Sequence, residues 1–338
     1  MTGISKLIKG GIDMQEYMTK YIEVYEELKK KMKWKVTDYK ILMTIASFYA
    51  MNQKPFHMES YLMIAEEIKK QAGFFSSIRS ESRYIAAAML DVGFENPETQ
   101  IPALFTAYDE LTSAKFRKGI FTYIAAAVLI KNCSTDPSDY RNVITKAKEL
   151  YEGMKKEHFF LTSSEDYPLA MLLASRGTDD VIERNERYYD YLNRNGFRKG
   201  NHLQMLSHIL TLDQEENPEE LMSRTVQVFD KFKEVGIKQK TLYYPIMGML
   251  AMIPPAELEV QEVYRAYDQL NQIKHFKWQK DLNATLAACF YVKDKLEKSA
   301  FIETSLYTTI ETILQAQQAA LTASITAAAV AANSGSGD

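Results

Sequence analysis

An all-α fold follows from this sequence, an α-solenoid of about seven helix-hairpin repeats of 38–43 residues with terminal capping helices. An aromatic or small anchor residue recurs at a near-constant interval. A helix-start signal recurs ahead of it, and an apolar run recurs behind it. Two helices in each interval, one amphipathic and one apolar, are what a stacked helical array requires.

The anchor opens a short segment that ends in a basic turn carrying another aromatic. The instances are YEELKKKMKW from Tyr25, AEEIKKQAGFF from Ala65, YDELTSAKFRKG from Tyr108 and YEGMKKEHFF from Tyr151. YDYLNRNGFRKG from Tyr189, FDKFKEVGIKQK from Phe229 and YDQLNQIKHFKW from Tyr267 continue the series. The spacings between anchors are 40, 43, 43, 38, 40 and 38 residues, too regular for unrelated segments.

Each unit should open on a capped helix. Pro55, Pro97, Pro137, Pro218 and Pro255 lie 10 to 14 residues before an anchor, and Thr178-Asp179-Asp180 fills the remaining slot. In Asn96-Pro97-Glu98 and Asn217-Pro218-Glu219 the Asn can cap. The proline then gives up an N–H that would be unpaired at the first helical position. This first helix should end near the turn, where Gly73, Gly196 and Gly236 offer left-handed C-caps and basic side chains complement the negative helix end.

A second helix follows in every unit: ILMTIASFYA, RYIAAAMLDV, FTYIAAAVLI, YPLAMLLA, HLQMLSHIL, YYPIMGMLAMI and LNATLAACFYV. These segments are apolar almost all round, the mark of a buried helix. Ser76 to Glu81 and Thr162 to Asp166 read as caps for two of them. Strand-like alternation is scarce, Gly is only 14 of 338 residues, and no Asn-Gly or Asp-Gly hairpin turn occurs. Both ends depart from the period. Residues 13–33 read as a lone first helix, and residues 1–294 as the repeat domain. Residues 295–333 read as one C-terminal capping helix, with Leu306, Ile310, Ile313, Leu314, Leu321 and Ile325 on its apolar side. Residues 334–338 read as a flexible tail.

The stretch GFFSSIRSESRYIAAAMLDVG from Gly73 to Gly93 leads to the turn Lys115-Phe116-Arg117-Lys118-Gly119 and TYIAAAVLI. DYPLAMLLA follows from Asp166 to Ala174. Together these resemble the bacterial domain-of-unknown-function family 4003 of Bacillus-like organisms, over nearly the whole chain. The resemblance implies a bacterial cytoplasmic helical protein. It carries no activity and no site residues across.

Composition excludes several classes. Lys and Arg number 41 against 44 Asp and Glu, a formal charge of −3, so the bulk electrostatic footprint of a dedicated nucleic-acid binder is missing. Cys133 and Cys289 are the only cysteines, which leaves no disulfide framework and no Cys-rich zinc site. Apolar runs such as Ile120–Ile130 fall short of the roughly 20 residues of a membrane span. With no secretory signal visible, a cytoplasmic location is expected.

Motifs for chemistry are absent. His57, His158, His202, His208 and His275 form no His-Glu-x-x-His or Glu-x-x-His pattern. His202 and His208, six apart, lie about 600° round a helix and diverge. Both cysteines read as small buried hydrophobes. No P-loop, Gly-x-Gly-x-x-Gly or Gly-x-Ser-x-Gly occurs, so no catalytic residue, metal or cofactor is expected.

The basic turns are the candidate binding feature. Phe116-Arg117-Lys118-Gly119 and Phe197-Arg198-Lys199-Gly200 are identical and two units apart. Lys35, Lys238, Lys240, Lys277 and Lys280 occupy equivalent places. Stacking would align them as a positive ridge for an acidic peptide or phosphates. The alternative is that they complement helix C-termini while Phe116 and Phe197 plug the corner between helices. FFSSIRSE and FFLTSSED interrupt the ridge. The function expected is a non-catalytic scaffold or regulator that binds a protein or peptide, nucleic acid being disfavoured. An enzyme or anion-binding protein using the basic turns is the alternative, and it requires Arg117, Lys118, Arg198 and Lys199 to converge on one pocket.

Overall fold

The computed structural model describes residues 14–74, 76–133, 137–177, 180–213 and 217–298, together with 314, 316–317, 319–326, 328 and 331. Among the described residues every regular element is helical. In chain order the helices are α1 Met14–Met32, α2 Tyr39–Asn52, α3 Met58–Gln71, α4 Ser82–Gly93, α5 Ile101–Ser113, α6 Ile120–Asn132 and α7 Pro137–Glu157. They continue with α8 Tyr167–Arg176, α9 Val181–Arg194, α10 Asn201–Thr211, α11 Pro218–Glu234, α12 Tyr244–Ala251, α13 Val260–Gln272 and α14 Lys280–Lys298.

Each odd-numbered helix packs on the even-numbered helix that follows it. Sequence accounts for the division of labour. In α6 ten residues, from Ile120 to Ile130 apart from Phe121, are buried, so the helix has no solvent face. In α13 only Val260, Val263, Ala266 and Leu270 are buried, one stripe at helical spacing. The even helices therefore sit inside and the odd ones outside. Residues 13–33 were expected to stand alone, yet α1 packs along α2 as the other odd helices do on theirs.

Local signals at the helix ends act largely as the residues dictate. Asn217 accepts a hydrogen bond from the Glu219 N–H at 2.9 Å and starts α11. Asn96 makes no such bond, and Pro97 opens a 3-10 turn instead. Ser163 and Asp166 form a reciprocal capping box before α8. Gly196 and Gly236, at φ 98° and 89°, reverse the chain after α9 and α11. Gly73 does not adopt that conformation. In the turn after α5 it is Lys115 that does, at φ 70°. Gly200 sits at φ 146°, ψ −179°, a backbone region essentially reserved for glycine, and so admits the chain to α10.

The stack of hairpins closes on itself. An open array would leave the first and last helices far apart, whereas α14 packs against both α1 and α2. The seam is aromatic. Phe276, fully buried, lies 5.1 Å from the Tyr21 ring and 4.7 Å from that of Tyr25, the second edge-on. Tyr17 stacks on Phe290 at 6.2 Å. Neighbouring even helices pack in order, from α2 through α4, α6 and α8, then α10, α12 and α14, and back to α2. α8 and α10 pack less closely than the others. There α10 presents a polar face, with Gln204 donating to the Thr162 hydroxyl at 3.0 Å. Beside it His208 is wholly buried, and desolvation lowers its pKa to about 3, so it is neutral.

Of the expected C-terminal helix, residues 319–326 are helical, and Ala319, Thr322, Ala323, Ile325 and Thr326 are buried. Leu306, Ile310, Ile313 and the 334–338 tail lie outside the described residues. No described helix is long and apolar enough to cross a membrane.

Candidate functional site

The connections from each odd helix to its even partner all lie at one end of the ring, and a chain of hydrogen bonds joins them. Thr37, before α2, donates through its N–H and its hydroxyl to the Glu81 carboxylate before α4, at 2.9 Å each. Ser76 meets the Tyr123 hydroxyl of α6 at 2.9 Å. The Arg117 N–H donates to the Tyr167 hydroxyl of α8 at 3.3 Å, and the Arg198 N–H to the Tyr244 hydroxyl of α12 at 3.0 Å. Gln204 and Thr162 span the step between. Lys240 and Tyr243 both donate to Asp281 at the start of α14, each at 2.5 Å. Lys29 of α1 meets His275, after α13, at 2.5 Å, which completes the circuit.

The two identical turns also pack identically. Phe116 is buried edge-on against Tyr167 at 4.8 Å, and Phe197 against Tyr244 at 4.7 Å. Their aromatics plug the corner between helices, while Arg117, Lys118, Arg198 and Lys199 point outward and are exposed. Backbone and ring thus use these turns structurally, and the charged ends remain at the rim. The tandem pairs Tyr188-Tyr189 and Tyr243-Tyr244 are likewise core residues.

Inside the rim lies a cavity of about 690 Å³. Its walls come from the first turns of α2, α8, α10, α12 and α14, five helix N-termini facing one space. The C-terminal segment supplies the remaining wall through Ala316, Ala320, Leu321 and Ile325 among others. A volume of this size suits a small ligand or a few residues of peptide.

Of the residues expected from sequence, Lys240, Lys277 and Lys280 border the cavity. Arg117, Lys118, Arg198, Lys199 and Lys238 do not line it. Sequence reasoning missed Lys40, Asp166, His202 and Asp281, which also line it. The signal available was their shared position in the first turn of an inner helix or just before it. That position meant nothing until the helices closed into a ring.

The two aspartates are tuned in opposite directions. Burial pushes Asp166 up to about 6, helped by neighbouring Glu165 and opposed by the bond from the Ser163 N–H. For Asp281 burial also acts upward, but the hydrogen bonds from Lys240 and Tyr243 outweigh it and hold the carboxyl below its ordinary value. Near neutral pH one carboxyl titrates while the other stays ionised. His202, partly desolvated, is lowered as well. Among the described residues no three His, Cys, Asp or Glu side chains are grouped to hold a metal ion.

Comparison with known proteins gives a consistent result. The model of the family described as protein of unknown function (DUF4003) matches residues 24–319. The chain is also similar to the uncharacterized protein YeaA of Bacillus subtilis (strain 168), 36% identical over 328 residues, which cover 96% of this chain and 99% of that protein. No solved structure matches the chain.

Proposed function

We propose a function from one premise: the chain belongs to the DUF4003 family. On this reading it is a cytoplasmic, non-catalytic scaffold that binds a peptide carrying an acidic group. Its body, residues 1–294, is an α-solenoid of about seven helix-hairpin repeats whose ends meet, and residues 295–333 cap it.

The observation that carries the reading is what forms the last wall of the cavity. The chain's own helical residues 319–326 lie there, with Ala320, Leu321 and Ile325 on the cavity wall. A site already shaped around a small-residue helix is suited to another short helical segment. Lys240, Lys277 and Lys280 at its edge supply the positive charge for an acidic group, with the five helix N-termini behind them. Arg117, Lys118, Arg198, Lys199 and Lys238 extend the same positive rim beyond the cavity. Peptides selected from a random display library against the full chain should bind it and lose binding to Ala320→Trp, which puts an indole on the cavity wall. Selection that yields only peptides indifferent to Ala320→Trp refutes the reading.

One observation favours the alternative of an enzyme. Asp166 and Asp281 share the cavity with opposed proton affinities, the usual arrangement of an acid beside an anionic partner. Turnover that rises as pH falls toward 6 and is lost in Asp166→Asn would favour it over the scaffold.

A further inference from the structure

The two ends of the ring differ in charge far beyond what a chain of net charge −3 suggests. The seven odd-to-even connections, 33–38, 72–81, 114–119, 158–166, 195–200, 235–243 and 273–279, hold twelve Lys or Arg against four Asp or Glu. Among the described residues the six even-to-odd connections, 53–57, 94–100, 133, 177 with 180, 212–213 with 217, and 252–259, hold six Asp or Glu against one Lys. Helix dipoles explain a basic bias after an odd helix, but each such turn also precedes an even helix, where cations are unfavourable. The surplus therefore exceeds what capping requires.

The exposed aromatic side chains are sorted the same way. Trp34, Phe74, Phe159, Phe160 and Trp278, 63 to 96% exposed, all lie in the basic set of connections. Three have a lysine ammonium over the ring: Lys33 over Trp34, Lys155 over Phe159 and Lys277 over Trp278, at 5.1 to 5.5 Å. Elsewhere in the described chain the one other strongly exposed large apolar residue is Met63. Leaving five aromatics in water is unfavourable by the apolar area each fails to bury.

We infer that this end of the ring docks flat on an anionic phospholipid surface. Tryptophan and phenylalanine beside lysine is the chemistry of the membrane interface, where rings enter the headgroup region and cations meet lipid phosphates. The placement selects a plane over a groove. The aromatics come from the first, second, fourth and seventh of these connections, spread around a circular rim. A nucleic-acid strand tracks a line, whereas a lipid surface meets the whole rim at once. The acidic opposite end is repelled by the same surface and fixes the orientation. The contact is peripheral, and at Lys277 and Trp278 the rim also borders the cavity.

Trp34 and Trp278 are the only tryptophans in the chain, so selectively excited tryptophan fluorescence reports on this rim. The full chain is mixed with vesicles of phosphatidylcholine, with equimolar phosphatidylcholine and phosphatidylglycerol, and with a single-stranded oligonucleotide. Emission should shift to the blue, and the protein should float with the vesicles, only where phosphatidylglycerol is present, and high salt should reverse both. Each basic residue near such a surface contributes about fivefold to partitioning, so Arg117→Gln with Lys118→Gln should weaken it about 25-fold. Phe160→Ser should weaken it without changing the circular dichroism, since that side chain is exposed. Absence of both shift and flotation with anionic vesicles overturns the inference. So does flotation indifferent to these substitutions, or tighter binding to the oligonucleotide than to the vesicles.

Discussion

Closure of the ring can be tested at Phe276, which belongs to the last hairpin and packs against the first. Its side chain is fully buried between Tyr21 and Tyr25, so Phe276→Ala removes a whole ring and leaves a cavity that the two tyrosines cannot fill without moving α1. Large-to-small changes of this kind cost about 3–5 kcal/mol. For 338 residues, with an unfolding entropy of about 2.1 cal/mol/K each, ΔS is about 0.7 kcal/mol/K. The loss then corresponds to a fall in Tm of about 4 to 7 °C. Part of that loss would arise even in an open array, because removing any fully buried ring leaves a cavity. A double-mutant cycle isolates the contact across the seam. Urea unfolding of Tyr25→Leu, Phe276→Leu and the pair should give a coupling of about 0.5–1.5 kcal/mol, the value of an edge-on aromatic pair. A coupling of zero, with additive single effects, refutes closure.

Asp166 sets a pH dependence whose sign is fixed by its raised pKa. Between the unfolded value near 4 and the folded value of about 6 the native state holds the extra proton, so stability should fall as pH rises through that window. Asp166→Asn should flatten the slope in urea titrations at pH 4 to 7. Gly248 of α12 faces α10, and a Cβ there would overlap Leu206 Cδ1. Gly248→Val should therefore overpack the interface and cost about 1–3 kcal/mol by denaturant midpoint. The Cys289 thiol is buried and pushed up to about 12, so iodoacetamide should leave it unmodified in the native chain and alkylate it in urea. Native labelling at Cys289 would show that α14 opens readily.

Much of the local architecture was legible in the residues. The all-round apolar runs became inner helices because an apolar helix has no alternative to burial. Of the anchor aromatics Tyr25, Tyr151 and Tyr189 are core, while Tyr108, Phe229 and Tyr267 pack against it half-buried. Asn217 caps as its chemistry dictates, and Gly196 and Gly236 reverse the chain where only a short or absent side chain is comfortable. The basic turns were also plain to read, as was their kinship. What could not be read was where they would stand relative to one another.

That relation depends on the small rotation each hairpin makes on its neighbour, a quantity no single stretch of sequence encodes. Summed over the chain, those rotations bring Phe276 to Tyr21 and turn a row of turns into a rim. They also gather Lys40, Asp166, His202, Lys240 and Asp281, from five separate helix starts, around one cavity. The proton affinity of Asp166 follows from that burial and not from its local sequence. Residue type and periodicity thus determined the helices and some of their caps, Asn217, Gly196 and Gly236 among them. The accumulated packing angles alone decided that the ends meet, that a cavity exists, and which charges share it.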